Sequence, residues 1–220
     1  MAVSAMAMQK VVTEKSFDEF HLYTLGNPAT LRDKETKQVE FVRATGVKAE
    51  RIYVFDGAGH AYRGDDSSGK VQVYREFKNS EVNKLGMALP KGKVRFYTQD
   101  GDRQLEFVGE NRIDHTPKDE VIRVLTGNSF DLVGERRVKS SKDDGANRNA
   151  TRTVEIKVRN RKKEPVEIRV IEHAEYLGGN WTLTAQSQAH EKKDATIFEF
   201  RVPLQPDEEK VITYTIRYNF

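Results

Sequence analysis

Cysteine is absent from all 220 residues. That excludes structural disulfides, thiolate metal sites and a cysteine nucleophile. It also removes the usual mark of an oxidising compartment, so the count fits cytosol and envelope alike. No stretch approaches the roughly 18 consecutive apolar residues of a membrane-spanning helix. An excess of one charge is missing too: 37 Lys and Arg face 34 Asp and Glu, a net charge of +3. A nucleic-acid footprint needs clustered excess base. The sharpest local excess, Arg159-Asn160-Arg161-Lys162-Lys163, falls at an expected strand-turn-strand junction and reads as a solvated turn. There is no Gly-x-Ser-x-Gly, no phosphate loop and no His-Glu-x-x-His. No two of His21, His60, His115, His173 and His190 lie within four residues of each other, whereas metal sites on strands favour close pairs. The expectation is therefore no enzyme, no metal and no cofactor.

What the sequence does contain is alternation. Val154, Ile156 and Val158 point one way; Val166, Ile168 and Val170 repeat the pattern after Lys163-Glu164-Pro165. Ile212, Tyr214, Ile216, Tyr218 and Phe220 repeat it again. A period of two marks half-buried strands with one wet face. Only 37% of residues are hydrophobic and 32% are charged, which suits thin sheets with wet outer faces. The 8 Tyr and 11 Phe argue against disorder.

Turn residues divide the chain. His21–Leu25 stops at Gly26-Asn27-Pro28, Val39–Arg43 near Gly46, and Arg51–Phe55 at Asp56-Gly57. Gly57–Lys70 reads as a long loop, Val71–Arg75 as a strand, and Lys78–Gly86 as a linker or short helical turn. Beyond it, Asp100-Gly101 signals a hairpin between Val94–Tyr97 and Gln104–Val108. Gly109–His115 reads as a turn, Val121–Leu125 and Leu132–Val138 as two strands, and Lys139–Asn149 as a polar loop. Strands over Thr151–Arg159, Val166–His173, Trp181–Ala185, Thr196–Val202 and Lys210–Phe220 complete the chain. The fold expected is all-β: an immunoglobulin-like antiparallel β-sandwich over 89–220, preceded by a smaller β-rich region over 1–88.

Chemistry-bearing residues are sparse. Asp114-His115 sits in a Gly- and Pro-flanked connection, where Asp114 suits a turn cap. Arg112 and Asp114 read as an Arg–carboxylate clamp tying loop to sheet, with a ligand site at Arg112, Asp114 and His115 as the alternative. His173 and Glu175 can share a strand face. Trp181, the single tryptophan, suits core filling better than a ligand platform. Arg63-Gly64-Asp65 spells an adhesion tripeptide inside loop composition, and Asn149-Ala150-Thr151 and Asn180-Trp181-Thr182 fit the glycosylation pattern. The alternating run to Phe220 also resembles the last strand of an outer-membrane barrel, but the turn spacing suits a small sandwich better.

Several separated motifs carry a resemblance. They are Phe20-His21-Leu22-Tyr23-Thr24-Leu25, Leu89-Pro90-Lys91-Gly92-Lys93-Val94-Arg95-Phe96-Tyr97, Phe107-Val108-Gly109-Glu110-Asn111-Arg112-Ile113-Asp114-His115-Thr116-Pro117 and Gly127-Asn128-Ser129-Phe130-Asp131. With the ending Tyr214-Thr215-Ile216-Arg217-Tyr218, they resemble bacterial domain-of-unknown-function family 4139, over nearly the whole chain. The resemblance implies a β-rich domain of secreted or envelope proteins, also found with mucoidy-inhibitor-like regions, and it implies no catalytic residues. Family members usually carry a further strand region, and often a signal sequence, before the Phe-His-Leu-Tyr stretch. This chain begins close to that stretch, so an unpaired sheet edge is expected.

The reading that follows is a non-catalytic structural or protein-interaction module of the bacterial cell envelope or exterior, self-assembling by edge-strand pairing. Its place is extracytoplasmic (periplasm, cell surface or secreted). Its partners are protein, chiefly itself, with no nucleic acid and no membrane-spanning segment. The alternative is a hydrolase or carbohydrate-binding accessory protein using the loops around Asp114-His115, which requires a pocket where His115 meets carboxylates from other loops.

Overall fold

The computed structural model describes residues 9–10, 12–57, 66–99, 101–146, 148–174 and 180–219. The Arg63-Gly64-Asp65 tripeptide, His60, Asp100, Glu175, the Gly178-Gly179 turn, Phe220 and most of the expected Gly57–Lys70 loop lie outside the described residues. The protein is all-β, with no helix among the described residues.

One sheet has nine strands. Their order is β12 (Asn180–Gln186), β15 (Glu209–Asn219), β10 (Asn149–Asn160), β9 (Val121–Asp144), β6 (Ser67–Lys78), β5 (Glu50–Asp56), β11 (Val166–His173), β14 (Ile197–Leu204) and β13 (Glu191–Lys192). Three two-stranded sheets pair β1 (Gln9–Lys10) with β4 (Val42–Arg43), β2 (Val12–Phe17) with β3 (Phe20–Leu25), and β7 (Gly92–Gln99) with β8 (Leu105–Ile113).

The sequence period decides which side chains turn inward. On β10, Val154, Ile156 and Val158 are buried, and the register sets Val154 against Tyr214 and Ile156 against Ile212 of β15. On β11 and β14 the inward set is Ile168, Val170, Phe198, Phe200, Val202 and Leu204. These form one core although β10, β9, β6, β5 and β11 separate β15 from β14 in the sheet. The Phe198 and Phe200 rings lie 5.4 and 5.8 Å from the Tyr214 ring. The sheet therefore curls until strands from its two ends share a single interior. A close approach fixes one residue: a Cβ on Gly134 would stand 2.2 Å from the buried Phe55 ring. Trp181 closes the rim, its ring 5.2 Å from Phe198 and its Nε1 donating to the Ala195 carbonyl at 2.6 Å.

The chain divides into two compact units. The first comprises the residues up to Glu50 with Arg75–Val124; the second comprises Arg51–Tyr74 with Leu125–Phe220. The first has its own core of Phe77, Met87, Leu89, Ile122 and Val124, against which Phe96 packs edge-on to Phe77 at 5.8 Å. Its 79–88 connection is pinned by buried Asn79. The Asn79 amide donates to the Met87 and Pro117 carbonyls at 2.7 and 2.8 Å, and its oxygen accepts from Gly86 N–H at 3.1 Å. The second unit uses buried Asn160 in the same way, donating to the Glu164 and Gln205 carbonyls at 2.9 and 3.0 Å.

Four expectations need correction. The large sheet is mixed, not wholly antiparallel: β5 runs parallel to β11, Ile168 facing Tyr53 and Val170 facing Phe55. A parallel pair needs a long crossover, and residues 57–165 lie between these two strands. Gly109–Ile113 continues β8, because a bulge at Phe96/Tyr97 absorbs the register shift and lets pairing run on to Gly92–Ile113. Val121–Leu125 and Leu132–Val138 are parts of one 24-residue strand, β9; Gly127 supplies the positive φ of 150° that carries the chain on without a turn. Lys139–Asp144 is strand, paired with β10 as far as Asp144–Asn149, its polar side chains standing in solvent.

Candidate functional site

The Asp114-His115 region follows β8 and is open to solvent. Asp114 pairs with Lys91 at 3.2 Å, and His115 Nδ1 accepts from the Lys91 amide at 3.3 Å. The Thr116 hydroxyl donates to the Asp114 backbone carbonyl at 2.8 Å, while the Asp114 carboxylate, expected to cap a turn, meets Lys91. Arg112 is exposed on β8 opposite Lys93, and its backbone N–H donates to the Asn111 side-chain oxygen at 2.8 Å. The carboxylate of Asp114 thus meets Lys91 rather than Arg112, and the described residues bring no carboxylate onto His115.

The buried polar chemistry lies elsewhere, between β9, β11 and β15. Period two on β11 turns Glu172 inward between exposed-side neighbours, and the same rule turns in Arg136 from β9 and Tyr214 from β15. Glu172 is fully buried and Arg136 is 4% exposed. Arg136 Nε donates to both Glu172 oxygens, at 3.1 and 3.0 Å, and a terminal guanidinium nitrogen reaches the Tyr214 hydroxyl at 3.4 Å. The Tyr214 O–H donates to Glu172 Oε2. Burial lifts the Glu172 carboxyl above the usual carboxylate range, with Arg136 and Tyr214 pulling against it. Burial works against the Arg136 charge, but Glu172 and Tyr214 outweigh it and hold its pKa above the ordinary value. The three groups satisfy one another, which is the condition for keeping charge in a core.

Tyr214 makes this cluster measurable. Burial first, and the neighbouring Glu172 second, hold its hydroxyl proton to well above the ordinary value. Unfolded tyrosine ionises near about 10. Above that pH the unfolded chain has lost a proton that the folded chain keeps, so stability falls as pH rises past about 10. Urea midpoints across an alkaline series check this. Tyr214→Phe flattens part of the decline; an unchanged slope would contradict the assignment.

Two partly buried arrangements complete the inventory. His173 Nε2 lies 3.2 Å from Asp56, across the parallel pair of β11 and β5; Glu175, its expected partner, lies outside the described residues. Glu135, Arg137, Glu155 and Lys157 line a shallow hollow on the outer face of β9 and β10. Its charges are already matched: Arg137 with Glu135 at 4.0 Å, Lys139 with Glu155 at 3.6 Å, Lys157 with Glu209 at 3.5 Å. No group of three or more His, Cys, Asp or Glu placed to hold a metal ion occurs among the described residues.

Apolar exposure is concentrated on the two hairpins of the first unit. Phe17, Phe20 and Leu22 stand in solvent on β2–β3, and Tyr97, Leu105 and Phe107 on β7–β8. Residue spacing contained the signal for these: Phe17 and Phe20 flank a two-residue turn, and the register faces one with the other. Arg136, Glu172 and Tyr214 could be found in the sequence only as polar residues on inward-facing positions of strong strands. No protein-family model, curated protein or solved structure matches the chain.

Proposed function

We propose that this chain is a non-catalytic protein-interaction module that associates chiefly with itself. The observation that carries the reading is the apolar surface left in solvent along β2–β3 and β7–β8. Contiguous exposed apolar side chains on a folded domain mark association surfaces. The buried charges support it from the other side, since Arg136, Glu172 and Tyr214 are spent on one another inside the core. On this reading the curled nine-stranded sheet is an immunoglobulin-like sandwich. A place in the bacterial envelope or exterior belongs to this proposal and rests on the sequence motifs alone, since no family model matches the chain.

The test is solution mass over a concentration series, by sedimentation or light scattering. The mass is expected to rise from one chain toward a defined multiple. A strict monomer throughout would overturn self-association. His115→Ala is expected to leave the series unchanged, because His115 makes its contact with the backbone of Lys91 on an open connection.

A further inference from the structure

We infer that β3 is the edge through which two copies meet, pairing β3 with β3 in antiparallel fashion about a two-fold axis. The inference rests on the self-association reading and assigns it a strand, a register and an occupant.

Four observations converge on β3. It belongs to a sheet of only two strands, and an isolated hairpin is marginally stable in water. One face of this hairpin is engaged: the Tyr23 ring packs edge-on against Phe41 at 4.9 Å, the Tyr23 hydroxyl donates to the Ala88 carbonyl at 3.3 Å, and His21 bonds Glu14 at 2.7 Å. The other face is bare, with Phe20 68% and Leu22 54% exposed. The outer side of β3 has no strand beside it among the described residues.

The protections that sheet edges normally carry are missing here. Edges are blunted by charges, proline, bulges or brevity. Phe20–Leu25 holds no Asp, Glu, Lys, Arg or Pro, and its pairing with β2 runs from Val12↔Leu25 to Phe17↔Phe20 without a register shift. The other edges are blunted. β2 carries Glu14 and Lys15; β7 carries Lys93 and Arg95; β8 carries Glu106, Glu110 and Arg112. β12 has a bulge between Leu183 and Ala185, and β1, β4 and β13 are two residues long.

Charge selects the occupant. A strand without fixed charge can oppose a copy of itself with no like charges facing each other, which directly opposed strands do not tolerate. A two-fold axis normal to the sheet keeps each residue on its own face. Two registers then overlap equally; the one that sets Leu22 against Leu22 of the second copy and Phe20 against Thr24 joins the apolar side chains of the bare face, whereas the other centres on Tyr23, which is already engaged with Phe41 and Ala88. Phe17 extends that apolar surface, because it lies opposite Phe20 within each hairpin. The result is a four-stranded sheet, β2-β3-β3-β2, in place of two marginal hairpins.

The experiment compares the wild-type chain with Leu22→Lys and Leu22→Glu over one concentration series. Wild type is expected to form a two-chain species. Each variant alone is expected to weaken that association by roughly tenfold or more, the equivalent of about 1.4 kcal/mol, and an equimolar mixture to restore it. A wild-type monomer at every concentration would overturn both this inference and the self-association reading. A wild type and variants that associate equally, or variants whose mixture does not recover, would overturn β3 alone. Because the chain has no cysteine, a second measurement guards against misfolded lysine or glutamate variants. Phe20→Cys chains mixed with Thr24→Cys chains are expected to form a disulfide-linked heterodimer on mild oxidation. Crosslinking no greater than that of Thr24→Cys alone would remove the register.

Discussion

Replacing Glu172 by Ala is expected to lower the unfolding free energy of the second unit by about 3–5 kcal/mol, the range for breaking a buried pair by deleting one partner. The deletion leaves the Arg136 guanidinium 4% exposed with its carboxylate gone, and it strips the acceptor from the Tyr214 hydroxyl. Most of the loss is the uncompensated charge, not the attraction itself. The apolar combination Arg136→Met, Glu172→Leu and Tyr214→Phe is therefore expected to recover most of the stability, because it removes all three desolvated groups together. Urea unfolding followed by Trp181 fluorescence measures both, since this single tryptophan packs on the same core. A cost below about 1 kcal/mol, the level of a solvent-exposed pair, would show that water reaches the cluster.

Phe198→Ala is expected to cost about 3–5 kcal/mol by the same measurement, the range for deleting a buried phenyl ring. Phe198 is fully buried and touches the Phe200, Tyr214 and Trp181 rings at centroid distances of 5.6, 5.4 and 5.2 Å. It is the ring by which β14 reaches across to β15, so its loss opens the interior where the curled sheet meets itself. The Trp181 emission of the folded variant is expected to shift as well. A folded variant with unchanged emission and a cost near 1 kcal/mol would mean that the two ends of the sheet do not share this core.

The strands were legible where alternation was strong and long. Val166–His173 stands in the structure with the bounds that the sequence implies, and Thr151–Arg159 and Lys210–Phe220 differ by a residue or two at their ends. Legibility failed where the local signal was honest but overridden by pairing. Gly127-Asn128 has turn composition, yet partner strands hold the chain extended through it as β9. Lys139–Asp144 is polar because both its faces meet water there, so no alternation was available to read. The parallel pairing of β5 with β11 has no local signature at all; it depends on which distant strands share a core.

The same division applies to site residues. That Asp114 lies in an open connection was readable from Pro117 beyond it. The partner of Asp114 was not: Lys91 reaches it through the pairing of Leu89 with Thr116, a contact across the connection that residue types do not encode. Arg136 and Glu172 were visible as charges on strands, but nothing local distinguishes an inward charge from an outward one until the neighbouring apolar positions fix the face. Asn79 and Asn160 were hidden in segments that composition marks as solvated, although each is buried and ties two carbonyls.

Amide hydrogen exchange, followed strand by strand on dilute and concentrated samples of the wild-type chain, tests most directly that this molecule works by offering a free edge to its own copy. Amides in Phe20–Leu25 are expected to exchange more slowly as concentration rises, while those of Asn180–Gln186 keep the same rates. Rates in Phe20–Leu25 that do not respond to concentration, or protection that arises in another strand instead, would contradict the account.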